Sequence, residues 1–64
     1  MRNLTPKEEE IIRLAGQGKP RREIAKTLNV KEGTINTHFK SIYIKTGAHS
    51  MAEIAIWAVR MGYV

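Results

Sequence analysis

The sequence lacks two of the residue types that build metal centres and disulfides. It contains no cysteine and no aspartate, and its two histidines, His38 and His49, lie eleven residues apart. Without cysteine there is neither a disulfide nor a thiolate zinc site, and two distant imidazoles do not complete one. We therefore expect no metal and no cofactor.

Patterns typical of catalysis are also missing. His49 and Ser50 are neighbours, but a serine nucleophile needs a base aimed at it and a third group that orients the base. The Gly16-Gln17-Gly18-Lys19 segment follows a predicted helix instead of a strand and lacks the full phosphate-loop motif. The chain is therefore predicted not to be an enzyme, and no catalytic residue is assigned.

Long hydrophobic runs are absent as well. The longest, Ile54 to Val59, has six residues, whereas a helix that spans a bilayer needs about 20. The N-terminus, with three glutamates at positions 8 to 10, does not resemble a signal peptide. These features predict a cytoplasmic location and no insertion into a membrane.

At 64 residues, the chain is half the length of a typical domain. A fold of this size buries only ~60% of the surface that its unfolded chain exposes, so its core must be efficient. We expect a single domain over residues 1–64 with a helical core.

Basic residues are concentrated in the middle of the chain. Seven lysines and arginines lie between Lys19 and Lys45 against only Glu23 and Glu32, which accounts for the entire net charge of +5. Such a segment, if folded onto one face, is typical of a polyanion-binding surface. On charge alone, nucleic acid, an acidic protein and membrane headgroups all stay open as partners.

Helix start and stop signals divide the chain into four helices and make the predicted fold class all-α. Thr5 precedes Pro6 and lies three residues before Glu8, which predicts a capping box at the first helix. Ser50 and Glu53 predict a second one. Glycines follow the ends of the first, third and fourth helices. The predicted ranges are 6–16, 21–28, 33–46 and 51–61.

The third helix has one apolar face and one polar face. Ile35, Phe39 and Ile42 fall on one side at helical spacing and should face the core. The opposite side carries small polar residues and one base, namely Asn36, Thr37, Lys40 and Ser41. Asparagine and lysine can read adenine and guanine edges in the major groove, and a short helix, a turn and a longer helix make a helix-turn-helix. A merely solvated surface helix is the alternative interpretation.

The fourth helix has more apolar surface than a small monomer can bury. One stripe, predicted to face the core, comprises Ile54, Trp57, Ala58 and Met61. A second stripe comprises Ala52, Ala55, Ile56 and Val59. We predict that the second stripe forms a two-fold dimer interface, with scattered exposed apolar residues as the alternative.

Three segments together resemble a known family. They are Leu4-Thr5-Pro6-Lys7-Glu8, then Gly18 with Glu23-Ile24-Ala25 and Leu28, then Thr34-Ile35 with His38, Ile42, Lys45 and Gly47. In this order and spacing they resemble the LuxR-type (GerE/NarL/FixJ) helix-turn-helix DNA-binding domain, over nearly the whole chain.

The resemblance implies that the third helix enters the major groove and that the fourth mediates dimerisation. It places base contacts at Asn36, Thr37 and Lys40. It places phosphate contacts at Arg21, Arg22, Thr34, His38 and Lys45. Lys31 departs from the family pattern, because the recognition helix is usually capped by serine or threonine there.

These observations predict a transcription regulator that binds double-stranded DNA sequence-specifically in the bacterial cytoplasm or nucleoid. It should form a homodimer through its last helix, with RNA polymerase as a further partner. The alternative is a protein-interaction module that binds a regulator or an RNA polymerase subunit through the helix-turn-helix face. A steep loss of DNA affinity with salt would distinguish the first from the second.

Overall fold

The computed structural model describes residues 3–64 and contains four α-helices over this range. The helices are α1 (Pro6–Gly16), α2 (Arg21–Leu28), α3 (Glu32–Thr46) and α4 (Met51–Arg60). The predicted all-α class is confirmed, and α1 packs on α4 while α2 packs on α3. Helix α3 begins one residue earlier than predicted, and α4 ends one residue earlier.

The predicted capping box at the start of α1 is confirmed. The Glu8 N–H donates to Thr5 Oγ1 at 3.1 Å, and the Thr5 N–H donates to Glu8 Oε1 at 2.9 Å. Pro6, the first helical residue, has no N–H that would need a partner. The helix therefore begins with local hydrogen bonds that this short sequence supplies on its own.

The second predicted capping box is only half formed. Ser50 Oγ accepts from the Glu53 N–H at 3.2 Å, as expected, but Glu53 Oε1 accepts from the His49 N–H at 3.0 Å. The prediction that the Glu53 side chain would bond the Ser50 N–H is therefore wrong. The carboxylate instead satisfies the donor one residue earlier in the extended segment.

The turn of the helix-turn-helix uses a left-handed residue and no side-chain cap. Asn29 ends α2 with φ 58° and ψ 47°, a conformation that asparagine tolerates better than most residues. Neither Pro20 before α2 nor Lys31 before α3 makes a side-chain cap hydrogen bond. Both helices therefore depend on packing for their stability more than α1 does.

All four helices contribute to one core. Its fully buried large side chains are Ile11, Ile12, Ile24, Ile35, Phe39, Ile42 and Ile54. The predicted core face of α3 is therefore confirmed. On α4, Ile54 and Ala58 are buried and Trp57 is half-buried, but Met61 is 45% exposed. Placing Met61 in the core was wrong, because α4 ends at Arg60 and Met61 is the exposed residue that follows the helix.

Helices α1 and α4 approach closely where their residues are smallest. A Cβ atom on Gly16 would lie 2.9 Å from Ala58 Cβ and 3.1 Å from both Val64 methyl groups.

Within the described residues, none of the helices is both long enough and apolar enough to cross a membrane.

Candidate nucleic-acid interface

The polar face of α3 is open to solvent. Asn36, Thr37 and Lys40, the predicted base-contacting residues, are all exposed. They stand on one rigid helix, whose opposite side is anchored by fully buried Ile35 and Phe39. The Thr37 hydroxyl donates to the Gly33 carbonyl at 3.2 Å, so its lone pairs are available as acceptors. This face can offer both donors and acceptors to a ligand.

Arg21 connects α2 to this face. Its Nη1 donates to Asn36 Oδ1 at 2.9 Å, and its Nη2 donates to the Tyr43 hydroxyl at 2.6 Å. The guanidinium also lies over the Phe39 ring, 4.8 Å from the ring centroid. The resemblance placed Arg21 at a phosphate, but the structure joins it to a predicted base-contacting residue.

Lys45 lies in a partly buried ion pair at the other end of α3. Its Nζ donates to Glu8 Oε1 at 2.8 Å and to the Asn3 carbonyl at 2.8 Å, while Ser41 Oγ donates to Glu8 Oε2 at 2.7 Å. The Lys45 side chain is 26% exposed, and that of Glu8 is 4% exposed. An ammonium has three donors, so one is left for a phosphate. The predicted phosphate contact of Lys45 stays a prediction.

The pKa of Glu8 reflects this arrangement. Burial of the carboxyl group acts to raise its pKa, but hydrogen bonds from Lys45, the Thr5 N–H and Ser41 outweigh burial. Together with the charge of Lys45, they lower the pKa from 4.5 to about 2. Glu8 is therefore ionised at neutral pH and fixes the distal half of α3 against α1.

The other predicted phosphate-contacting residues lie on α2 and α3. Arg22 and Thr34 are exposed in the first turns of α2 and α3, and His38 is half-buried on α3. Further exposed bases of the same central segment are Lys26 and Lys31. These contacts stay predictions, while the exposure of the bases fits an interface for a polyanion.

A second exposed surface lies on α4. Ile56 is 53% exposed and Val59 is 60% exposed, while Ala52 is exposed and Ala55 half-buried. We call these four residues the α4 stripe. Its predicted role as a dimer interface stays a prediction.

Sequence reasoning missed the two side-chain networks. The cap formed by Glu8 was predictable from the sequence, but its pairing with Lys45 joins residues 37 positions apart. Arg21 and Asn36 are 15 positions apart, and no local pattern connects them. Both networks require the packed arrangement of helices.

Among the described residues, no three histidine, cysteine, aspartate or glutamate side chains are grouped so that they could hold a metal ion.

Comparison with known proteins gives a consistent result. Residues 2–58 match the family described as bacterial regulatory proteins, LuxR family. The nitrate/nitrite response regulator protein NarL of Escherichia coli K12 is 39% identical over 54 residues, which are 84% of this chain and 25% of NarL. The regulatory protein SdiA of the same organism is 34% identical over 62 residues, which are 97% of this chain and 26% of SdiA.

A third relative comes from a different organism. The transcriptional regulatory protein LnrK of Bacillus subtilis is 35% identical over 60 residues, which are 94% of this chain and 27% of LnrK. The chain thus spans about a quarter of the length of each of these relatives. Since the family match covers most of the chain, the protein belongs to the LuxR family of bacterial regulatory proteins as a helix-turn-helix DNA-binding domain.

Proposed function

We propose that this chain binds double-stranded DNA sequence-specifically as part of a transcription regulator. The observation that carries the proposal is the exposed polar face of α3, together with the exposure of the bases of the central segment. Helix α3 enters the major groove, where the amide of Asn36 and the ammonium of Lys40 contact base edges and Thr37 adds a hydroxyl. Phosphate contacts from Arg22, Thr34 and neighbouring residues hold the helix in place.

The proposal extends to assembly and location. The α4 stripe pairs with the same stripe of a second copy, which places two α3 helices on two half-sites. The small Ala52 and Ala55 allow close approach of the two helices, while Ile56 and Val59 supply apolar area. Such a dimer acts in the bacterial cytoplasm or nucleoid, where the DNA is, with RNA polymerase as a further partner.

Selection of bound sites from random duplex DNA tests the proposal directly. We expect the wild type to enrich one sequence, and Asn36→Ala and Lys40→Ala each to relax the preference at one or two base pairs. Each good base contact contributes about 1–3 kcal/mol of discrimination. Both side chains are exposed, so the melting temperature should change little.

Lys26→Ala is the matched control for Lys40→Ala, since it removes an exposed lysine of the same segment from α2. It should leave the preferred sequence unchanged. An unchanged site preference in both Asn36→Ala and Lys40→Ala would contradict base reading by α3. The same face would then be better explained as a protein-interaction surface.

A further inference from the structure

We infer that Arg21 is a positioning residue that sets the orientation of the Asn36 amide for reading a base that presents a hydrogen-bond acceptor. The inference rests on the proposed function of α3 and adds a residue of α2 to the specificity of the site. It starts from the 2.9 Å hydrogen bond between Arg21 Nη1 and Asn36 Oδ1.

The chemistry of arginine decides which way the amide faces. A guanidinium can only donate hydrogen bonds, so the amide atom that contacts it must be the oxygen. A rotated amide would place two donors against each other at this distance. The Asn36 amide nitrogen is thereby directed away from Arg21, at an exposed position on the face proposed to enter the groove.

Arg21 is itself held in place at three points. Its second nitrogen donates to the Tyr43 hydroxyl at 2.6 Å, and its guanidinium carbon lies 4.8 Å from the centroid of the buried Phe39 ring. The Tyr43 centroid is 5.9 Å from the same guanidinium carbon. A planar fork can satisfy an amide, a hydroxyl and a ring together, whereas the point charge of a lysine cannot.

The bound arginine also changes what Asn36 offers to a base. A positive donor on the amide oxygen polarises the amide and strengthens its N–H groups as donors. In the major groove, N7 of adenine or guanine, O6 of guanine and O4 of thymine accept such a hydrogen bond, whereas the cytosine amine only donates. Asn36 therefore reads a base that presents an acceptor and disfavours cytosine, and Arg21 acts through Asn36.

Arg21→Lys tests the inference, with Arg22→Lys as the matched control at the exposed neighbouring position. In the DNA-free protein, NMR should find the Asn36 side-chain amide ordered in the wild type and in Arg22→Lys, but mobile in Arg21→Lys. On DNA, Arg21→Lys should reduce discrimination against cytosine about fivefold or more at the position that Asn36→Ala relaxes. The double variant Arg21→Lys/Asn36→Ala should discriminate no worse than Asn36→Ala alone.

Tyr43→Phe gives a second variant that keeps the ring and removes only the acceptor of Arg21 Nη2. It should loosen the Asn36 amide and weaken the same discrimination against cytosine in part. If Asn36→Ala relaxes the preference but Arg21→Lys and Tyr43→Phe do not, the positioning role is wrong and the proposed function stands. If Asn36→Ala itself has no effect, base reading by Asn36 fails, and the preference for an acceptor base fails with it.

Discussion

Glu8 is an acid buried to 3% exposure, and its environment compensates for the loss of water. Thr5, Ser41 and Lys45 each donate a hydrogen bond to the carboxylate. An unpaired buried carboxylate would be costly, and removal of one partner from such a pair commonly costs about 3–5 kcal/mol. One residue therefore caps α1 and fastens α3 to it.

The lowered pKa of Glu8 makes stability depend on pH in a defined window. Above about pH 4.5, the side chain is ionised in both the folded and the unfolded chain. As the pH falls toward about 2, the unfolded chain binds the proton first, so stability is lost progressively. The shift corresponds to ~3 kcal/mol of stability at neutral pH.

We expect Glu8→Gln to lower the free energy of unfolding at pH 7 and to flatten its decline between pH 5 and pH 2. Denaturant titrations across this range measure both effects. Glu10→Gln is the control, because Glu10 is exposed in the same helix. This variant should keep the wild-type dependence of the free energy of unfolding on pH. Equal slopes in Glu8→Gln and the wild type would contradict the ionic role of Glu8.

At the scale of helices, the contact between α1 and α4 depends on the absence of a side chain at Gly16. Alanine favours helix over glycine by about 1 kcal/mol, which taken alone predicts a stabilising substitution. The new methyl group would instead lie 2.9 Å from Ala58 Cβ, an atom with no freedom to rotate away. Overpacking of this kind typically costs about 1–3 kcal/mol.

We therefore expect Gly16→Ala to lower the melting temperature. Gly33→Ala, in the first turn of α3, should be neutral or stabilising by up to about 1 kcal/mol, because the new methyl group would meet nothing within 4 Å outside its own helix backbone. Thermal unfolding of the two variants separates packing from helix propensity. A higher melting temperature in both variants would mean that α1 and α4 adjust their spacing freely.

Helix α4 offers a test of self-association. We expect Ile56→Glu to weaken dimer formation, because an unpaired charge in the proposed interface is costly, while helicity is retained. Ile44→Glu is the control, since Ile44 is 84% exposed on α3, outside the α4 stripe. Sedimentation without DNA should separate the two variants, and a wild type that stays monomeric even on DNA would refute the α4 interface.

Local sequence signals predicted the helices well because the relevant interactions are local. The box between Thr5 and Glu8 spans three positions, and the buried stripe of α3 follows from helical spacing alone. The Glu53 carboxylate accepts from the His49 N–H instead of the Ser50 N–H. This could not be predicted, because it depends on the conformation of the extended segment before α4. The exposed face of α3 was predictable, whereas the link from Arg21 to Asn36 required the packing of α2 on α3.

At the scale of the whole molecule, the attraction of a polyanion depends more on where the charges lie than on the net charge. The excess of bases lies between residues 19 and 45, while the rest of the chain is balanced. Part of that excess is neutralised internally, since Lys45 pairs with Glu8. The exposed bases Arg22, Lys26, Lys31 and Lys40 are left for long-range attraction of a polyanion.

Salt dependence measures how many of these bases meet phosphates. Each phosphate contact adds about 0.9 to the slope of log affinity against log salt. We expect Arg22→Ala to weaken binding to all sequences alike and to reduce this slope by about one unit. Arg60→Ala removes an exposed arginine from α4, outside the basic segment, and should leave the slope unchanged. A loss of affinity confined to the preferred site would show that Arg22 does not act through a phosphate contact.

The aromatic pair at the end of α4 gives the molecule an intrinsic optical reporter. Trp57 is the only tryptophan, and its ring stacks on Tyr63 with centroids 5.5 Å apart. It adjoins Ile56 of the α4 stripe, and Tyr63 in turn donates to Glu9 on α1 at 2.9 Å. Its emission is therefore sensitive to changes at the α4 stripe and at the contact between α4 and α1. Unfolding would move the spectrum to the red as the stack opens to water, whereas burial of the stripe by a second copy would move it to the blue.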